Sequence, residues 1–200
     1  MPSRTLFATR LYEDRIDDPA FLTEMEDACR DIAHEDRAGR GWSKQHGYRG
    51  YTSYASLADL PRRDPRFAEL ARRLAPHVAR FVGDCAFDLG GRKPKLDSLW
   101  VNLLKPGGGH SGHIHPHGII SGTFYVAVPA GAGGLRVEDP RLPLMMAAPT
   151  PRVDAPPEQQ RFVTVAPAPG TVLLWESWLR HEVLPGTGRD ERISVSFNYR

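Results

Sequence analysis

Residues 192–198 read Arg192-Ile193-Ser194-Val195-Ser196-Phe197-Asn198, polar and apolar side chains in strict alternation. A β-strand turns successive side chains to opposite faces, so Ile193, Val195 and Phe197 share one face and the four polar residues share the other. The apolar face belongs against a core. The polar row either meets solvent or lines a hydrated or liganded cavity, because buried polar groups without partners are costly. An arginine in such a row calls for an anion, ideally a carboxylate held through two N–H groups.

Working outward from this strand, five more runs are strand-like and set apart by turn residues: Leu99–Leu104, Ile119–Val128, Gly134–Glu138, Phe162–Val165 and Thr171–Trp175. Many short strands at such spacing predict a sandwich or barrel from about residue 97 onward. The first half reads as helical. Asp18-Pro19 and Asp64-Pro65 are N-cap and first-turn signals. Phe21, Leu22, Met25, Cys29, Ile32 and Ala33 follow the first, and Phe67, Leu70, Leu74, Val78, Phe81, Val82 and Cys85 the second, both at helical spacing. Pro76 is expected to kink or split the second helix. Residues 36–62 carry no period and read as a long loop. The proline-rich stretch 140–157 is longer than most connections, which suits a lid or a disordered segment.

Two hundred residues with a formal net charge of +2 and 25% charged residues suit one structural domain, divided into a helical segment 1–95 and a β core 96–200. No basic run points to nucleic acid. No segment is apolar enough for a signal peptide or a bilayer span. Cys29 and Cys85 fall in helical patterns and suit reduced, buried thiols in a cytoplasmic protein.

The chemistry concentrates in histidine. Residues 106–117 read Pro-Gly-Gly-Gly-His-Ser-Gly-His-Ile-His-Pro-His, and His181 follows the Thr171–Trp175 strand. Imidazole is the commonest side-chain metal ligand. His113 and His115 share a face if the run is a strand, and a distant third His can complete one side of a metal while leaving the other open, as catalytic sites do. His113, His115 and His181 are the preferred ligands. His115 with His117, or a set recruiting Asp139, are the alternatives. Asp139 and Arg141 read most simply as a turn-fixing ion pair, and Trp100, Trp175 and Trp178 as core or barrel-mouth packing.

His113-x-His115, the distal His181 and Arg192-x-Ser194 resemble the iron(II)/2-oxoglutarate-dependent oxygenases. Trp100-Val-Asn102, Pro106-Gly107, Ser121-Gly-Thr-Phe-Tyr-Val126, Asp139-Pro-Arg141 and Ser177-Trp-Leu-x-His181-x-Val183 narrow the resemblance to a bacterial and phage group of these enzymes, over about residues 96–199. The resemblance implies a double-stranded β-helix, a cupin-like jelly roll, with the metal at one mouth. It implies Fe(II) as cofactor, 2-oxoglutarate and O2 as co-substrates, and hydroxylation of an unactivated carbon on a small-molecule or peptide substrate. Arg192 and Ser194 would hold the distal carboxylate of 2-oxoglutarate, with Asn102 as a further polar contact. The sequence departs from the superfamily in one place: His115 stands where an aspartate or glutamate is usual. The metal then keeps a formal charge one unit higher, worth roughly 4 kcal/mol at about 4 Å and an effective dielectric of 20.

Two other readings compete. A cupin-type three-histidine dioxygenase without 2-oxoglutarate fits Gly107 and His113-x-His115, but Ile119 and Ile120 occupy the place of its glutamate and Leu173 that of its later histidine. A non-catalytic metal-binding jelly roll holding zinc uses the same three histidines. The helical half offers a surface for a homodimer.

Overall fold

Residues 192–198 lie near the middle of a six-stranded sheet. In the computed structural model, which describes residues 3–200, strand β10 (Arg192–Tyr199) pairs on one side with β3 (Leu96–Leu104) and on the other with β5 (Ile120–Ala127). The sheet continues through β8 (Thr171–Glu176) to β1 (Leu11–Arg15) at one edge, and β2 (Gly50–Thr52) closes the other. A second, four-stranded sheet runs in the order β4 (His110–His113), β9 (His181–Val183), β6 (Leu135–Glu138), β7 (Phe162–Val165). All pairings between named strands are antiparallel.

Alternation sorts the large sheet into two faces. Ile193, Val195, Phe197, Val101, Phe124, Val172 and Leu174 join one buried cluster with Phe21, Met25, Phe67, Leu70 and Phe81 of the helices. Leu104, Tyr125, Leu173 and Trp175 point to the other face and pack with Leu135 and Val183 of the small sheet. With both faces covered, β8 and residues 99–104 of β3 read as nearly continuous apolar runs, whereas β10 alternates because one of its faces is polar. Gly122 stands opposite Phe197, and a Cβ there would come within 2.4 Å of that ring. The missing side chain makes room for the phenylalanine.

Helix α1 (Pro19–Glu35) is capped by Asp18, whose carboxylate accepts from the Phe21 N–H, and helix α3 (Pro65–Asp84) by Asp64, which accepts from the Arg66 N–H. Both bury most of the stripe expected of them, while Leu22, Ala33 and Val82 are only partly buried at its edges. Pro76 neither splits nor ends α3. It lies on the exposed side of that helix, as does Arg72, whose carbonyl lacks the N–H that proline does not have, so that carbonyl is not sealed in the core. Cys29 is buried, whereas Cys85 is only half-buried at the end of α3.

Residues 36–62 are not a loop. They form α2 (Arg37–Gln45), β2 and a short 3-10 turn (Leu60–Arg62). The first 95 residues therefore supply two strands, β1 and β2, as well as helices. Helix α2 shows no apolar period because the residues it buries are Gly39 and Ser43. Its organising group is Asp36, a buried carboxylate that accepts from the Gly39 N–H at 2.9 Å, the Tyr51 hydroxyl at 2.8 Å and the Ser56 hydroxyl at 2.5 Å. A Cβ on Gly39 would collide with that carboxylate at 2.2 Å.

Burial alone would raise the Asp36 pKa, but the bonds from Ser56, Gly39 and Tyr51 outweigh it and hold the pKa below its ordinary value. Its contribution to stability is thus present above the unfolded pKa and lost as pH falls through the folded one. Asp36→Asn should cost about 1–3 kcal/mol at neutral pH. In urea titrations the gap from the parent should stay constant at higher pH and close below about pH 4.

Candidate active site

The inward faces of the two sheets enclose a cavity of about 610 Å³, and the whole polar row of β10 lines it: Arg192, Ser194, Ser196 and Asn198. Three histidines converge on the same space. His113 ends β4 and His181 begins β9, and the two are direct cross-strand partners. His115 does not lie on the strand with His113, as alternation predicted, because β4 stops at His113. It sits in the turn that follows, anchored by its own N–H to the Ser177 carbonyl at 2.9 Å and by its carbonyl to the Gly118 N–H at 3.1 Å. One ligand atom from each of His113, His115 and His181 lies within 4.8 Å of the others.

Backbone carbonyls orient two of these rings. Nδ1 of His113 meets the Ser111 carbonyl at 2.7 Å, and Nδ1 of His181 meets the Leu179 carbonyl at 2.8 Å. A carbonyl only accepts, so both Nδ1 atoms carry the proton and both Nε2 lone pairs are left for a metal. His115 is clamped instead by rings, near-parallel to Trp100 at 5.9 Å and to His181 at 5.1 Å. Burial, reinforced by neighbouring imidazoles, lowers the pKa of His181 to about 3; burial and His113 lower that of His115 to about 4. Both are neutral at pH 7, the state a ligand needs.

The other expected histidines and acids fall elsewhere. His117 lines the cavity but stands outside the cluster. Asp139 is also outside it; its carboxylate accepts from the Arg141 N–H at 2.9 Å and guanidinium at 2.7 Å, the turn-fixing pair expected. His110 bonds the Tyr48 hydroxyl through Nε2 at 2.5 Å, and burial lowers its pKa to about 3. Residues 140–157 line no part of the cavity. Leu144, Met146 and Val153 of that stretch are almost wholly exposed, which is not the arrangement of a closed lid.

The inner end of the cavity is built around Arg192. This side chain is 4% exposed, its guanidinium lies 4.8 Å from the Tyr125 ring centroid, and it makes no ion pair among the described residues. Its Nε, the Tyr125 hydroxyl and the Trp175 Nε1 are the buried side-chain polar atoms left without a partner among the described residues. All three residues line this one cavity. Such a set, with a buried positive charge at its centre, fits an anionic ligand with several acceptor oxygens. Ser194 lines the cavity beside it. Asn102 also lines it, but its amide is engaged on both sides, accepting from Thr52 at 2.8 Å and donating to Ser196 at 3.1 Å. Tyr48, Tyr125, Trp175 and Thr52 were not among the expected site residues. Alternation from Ser121 through Thr123 to Tyr125 carried the signal for Tyr125, and none existed for Tyr48.

The sequence profile of a family described as "Putative 2OG-Fe(II) oxygenase" matches residues 98–198, half of the chain. The chain belongs to this 2-oxoglutarate, Fe(II) oxygenase family. No curated protein matches the sequence. A Pseudomonas putida prolyl-4-hydroxylase is similar in structure over 96% of this chain and 94% of its own, at 19% identity and a TM-score of 0.58. The epimerase SnoN, solved in complex with Fe3+, alpha ketoglutarate and nogalamycin RO, is similar over 96% of this chain and 79% of its own, at 16% identity and a TM-score of 0.67. This chain spans half the length of a Burkholderia pseudomallei oxidoreductase of the 2OG-Fe(II) oxygenase family, at 20% identity over 60% of its own length and a TM-score of 0.43. The first two similarities bear on the fold, which is the double-stranded β-helix.

The depressed pKa values of His110, His115 and His181 make a stability prediction. Between about pH 4 and the ordinary histidine value near 6.5 the unfolded chain binds protons that the native one refuses, so stability falls as pH falls through that window. Urea midpoints of the metal-free protein should drop steadily from pH 7 to pH 4.5, and less steeply in His110→Gln.

Proposed function

We propose that the chain is a hydroxylase-type oxygenase in which His113, His115 and His181 hold iron(II) and Arg192 and Ser194 hold the distal carboxylate of 2-oxoglutarate. The observation that carries this reading is the uncompensated Arg192 guanidinium at the inner end of the cavity that also receives the three imidazoles. When bound, iron and 2-oxoglutarate supply with O2 the oxidising power that removes hydrogen from an unactivated carbon, yielding succinate and carbon dioxide.

The residues of the chain divide the remaining work. The Ser111 and Leu179 carbonyls hold His113 and His181 with Nε2 free, so the ligands are oriented before any metal arrives. Arg192 draws a dianion into a buried space, and the Tyr125 hydroxyl is a further donor at the same end. Asn102 acts at one remove, bracing β3 against Thr52 and Ser196. Trp175, edge-on to His181 at 4.7 Å, excludes water from the ligand side. In this reading residues 1–95 and 96–200 form one structural domain, a cover and a metal-binding core. The protein works in the cytoplasm, as a homodimer through its helical half, with no nucleic-acid or membrane partner; no helix among the described residues is long and apolar enough to cross a membrane.

Adding iron(II) and 2-oxoglutarate without oxygen should produce a visible charge-transfer band, and admitting air should release succinate. Absence of both would favour a binding module filled by zinc. Arg192→Ala should leave the iron content intact and weaken 2-oxoglutarate binding by about 2–5 kcal/mol, roughly 30-fold or more. His181→Ala should lose iron and 2-oxoglutarate together, measured by metal analysis and calorimetry.

A further inference from the structure

The outer half of the cavity differs in chemistry from the inner half. Its walls are aromatic. Trp42 is half-buried and stacked on His46 at 4.2 Å and 18°. Tyr54, 58% exposed, stands edge-on to Trp100 at 5.1 Å, and Trp100 in turn lies near-parallel to His115. The row of rings therefore runs from the rim to one of the three clustered histidines, and Ile114, 45% exposed, faces the same space. A concave apolar surface of this kind, left open to water, marks a ligand site. Each ring is held by another ring, so little ordering remains to be done on binding.

Charge narrows the ligand. Among the described residues the only acidic and basic side chains lining the cavity, histidines aside, are Arg192 at the inner end and Asp97 at the rim. Asp97 is already bonded to the Arg200 guanidinium at 2.9 Å. Among the described residues no lysine and no second arginine lines the space to pair with a phosphate or carboxylate, and the one rim carboxylate already faces a cation.

We infer that the outer chamber takes the primary substrate and that this substrate is an uncharged small molecule presenting a flat aromatic ring to Trp42, Tyr54 and Trp100. The inference rests on the oxygenase reading only in leaving the Arg192 end to 2-oxoglutarate. Iron(II)- and 2-oxoglutarate-loaded protein, kept without oxygen, would be titrated by calorimetry with 2-naphthol, with the anion 2-naphthoate and with the cation 2-naphthylmethylammonium. The neutral probe should bind at least about tenfold more tightly than either ion, and Trp42→Ala and Tyr54→Ala should each weaken it by about tenfold. Both side chains lie at the rim, so equal melting temperatures would show that the variants fold; Trp42→Phe should restore much of the binding.

Equal or tighter binding of either ion overturns the inference, as does 2-naphthol binding that ignores both substitutions. A tryptophan-containing pentapeptide that outcompetes 2-naphthol overturns the small-molecule class. The two readings fail separately. Protein that takes 2-naphthol on these rings but binds neither iron nor 2-oxoglutarate would defeat the oxygenase reading alone. Protein that binds both and ignores 2-naphthol would defeat this inference alone.

Discussion

A strand in the middle of a covered sheet must satisfy both of its faces, and β10 does so in two opposite ways. Ile193, Val195 and Phe197 pack beneath α1 and α3, where burial of each large apolar side chain is worth about 1.5–3 kcal/mol. Arg192, Ser194, Ser196 and Asn198 have no such cover and open into the cavity. The helices seal one side of the sheet, and the small sheet forms a chamber on the other. Everything at the site depends on that division, because it puts a guanidinium where neither bulk water nor, among the described residues, an acidic partner compensates it.

The histidines solve a different problem, which is how to bring ligands from distant segments to one point. Cross-strand pairing of β4 with β9 sets His113 against His181, and the turn after β4 carries His115 back beside them through the Ser177 carbonyl. Burial keeps His115 and His181 neutral, and backbone carbonyls choose the tautomer of His113 and His181. The set contributes no negative charge, since His115 replaces the usual carboxylate. In the proposed reading, a dianion held between such a metal centre and Arg192 would meet positive charge at both ends.

Much of the core was legible because alternation is a local property. The strand near 192–199 follows it, those near 99–104, 120–127, 162–165 and 171–176 show as short apolar-rich runs set apart by turn residues, and the capped helices after Asp18 and Asp64 show by their own helical period. The segment 36–62 was not legible, since α2 buries glycine and serine around the Asp36 carboxylate and shows no apolar stripe. That segment proved important, for it supplies Tyr48 to the inner end and Trp42 and Tyr54 to the rim. The stretch 140–157, whose length suits a lid or a disordered segment, does not line the chamber in the structure.

By itself the sequence determined the residue types of the site, three spaced histidines and an Arg-x-Ser strand, together with a β core preceded by capped helices. These follow from periodicity and side-chain chemistry, which need no knowledge of what lies across the sheet. Only the tertiary structure decided which imidazoles meet, which acids stay away, and that Arg192 is enclosed without a counter-charge among the described residues. Those outcomes depend on strand register and on contacts between residues far apart in the chain, such as Tyr48 with His110 and His113 with His181. Nothing local encodes them, because the pairing free energy belongs to the assembled sheet.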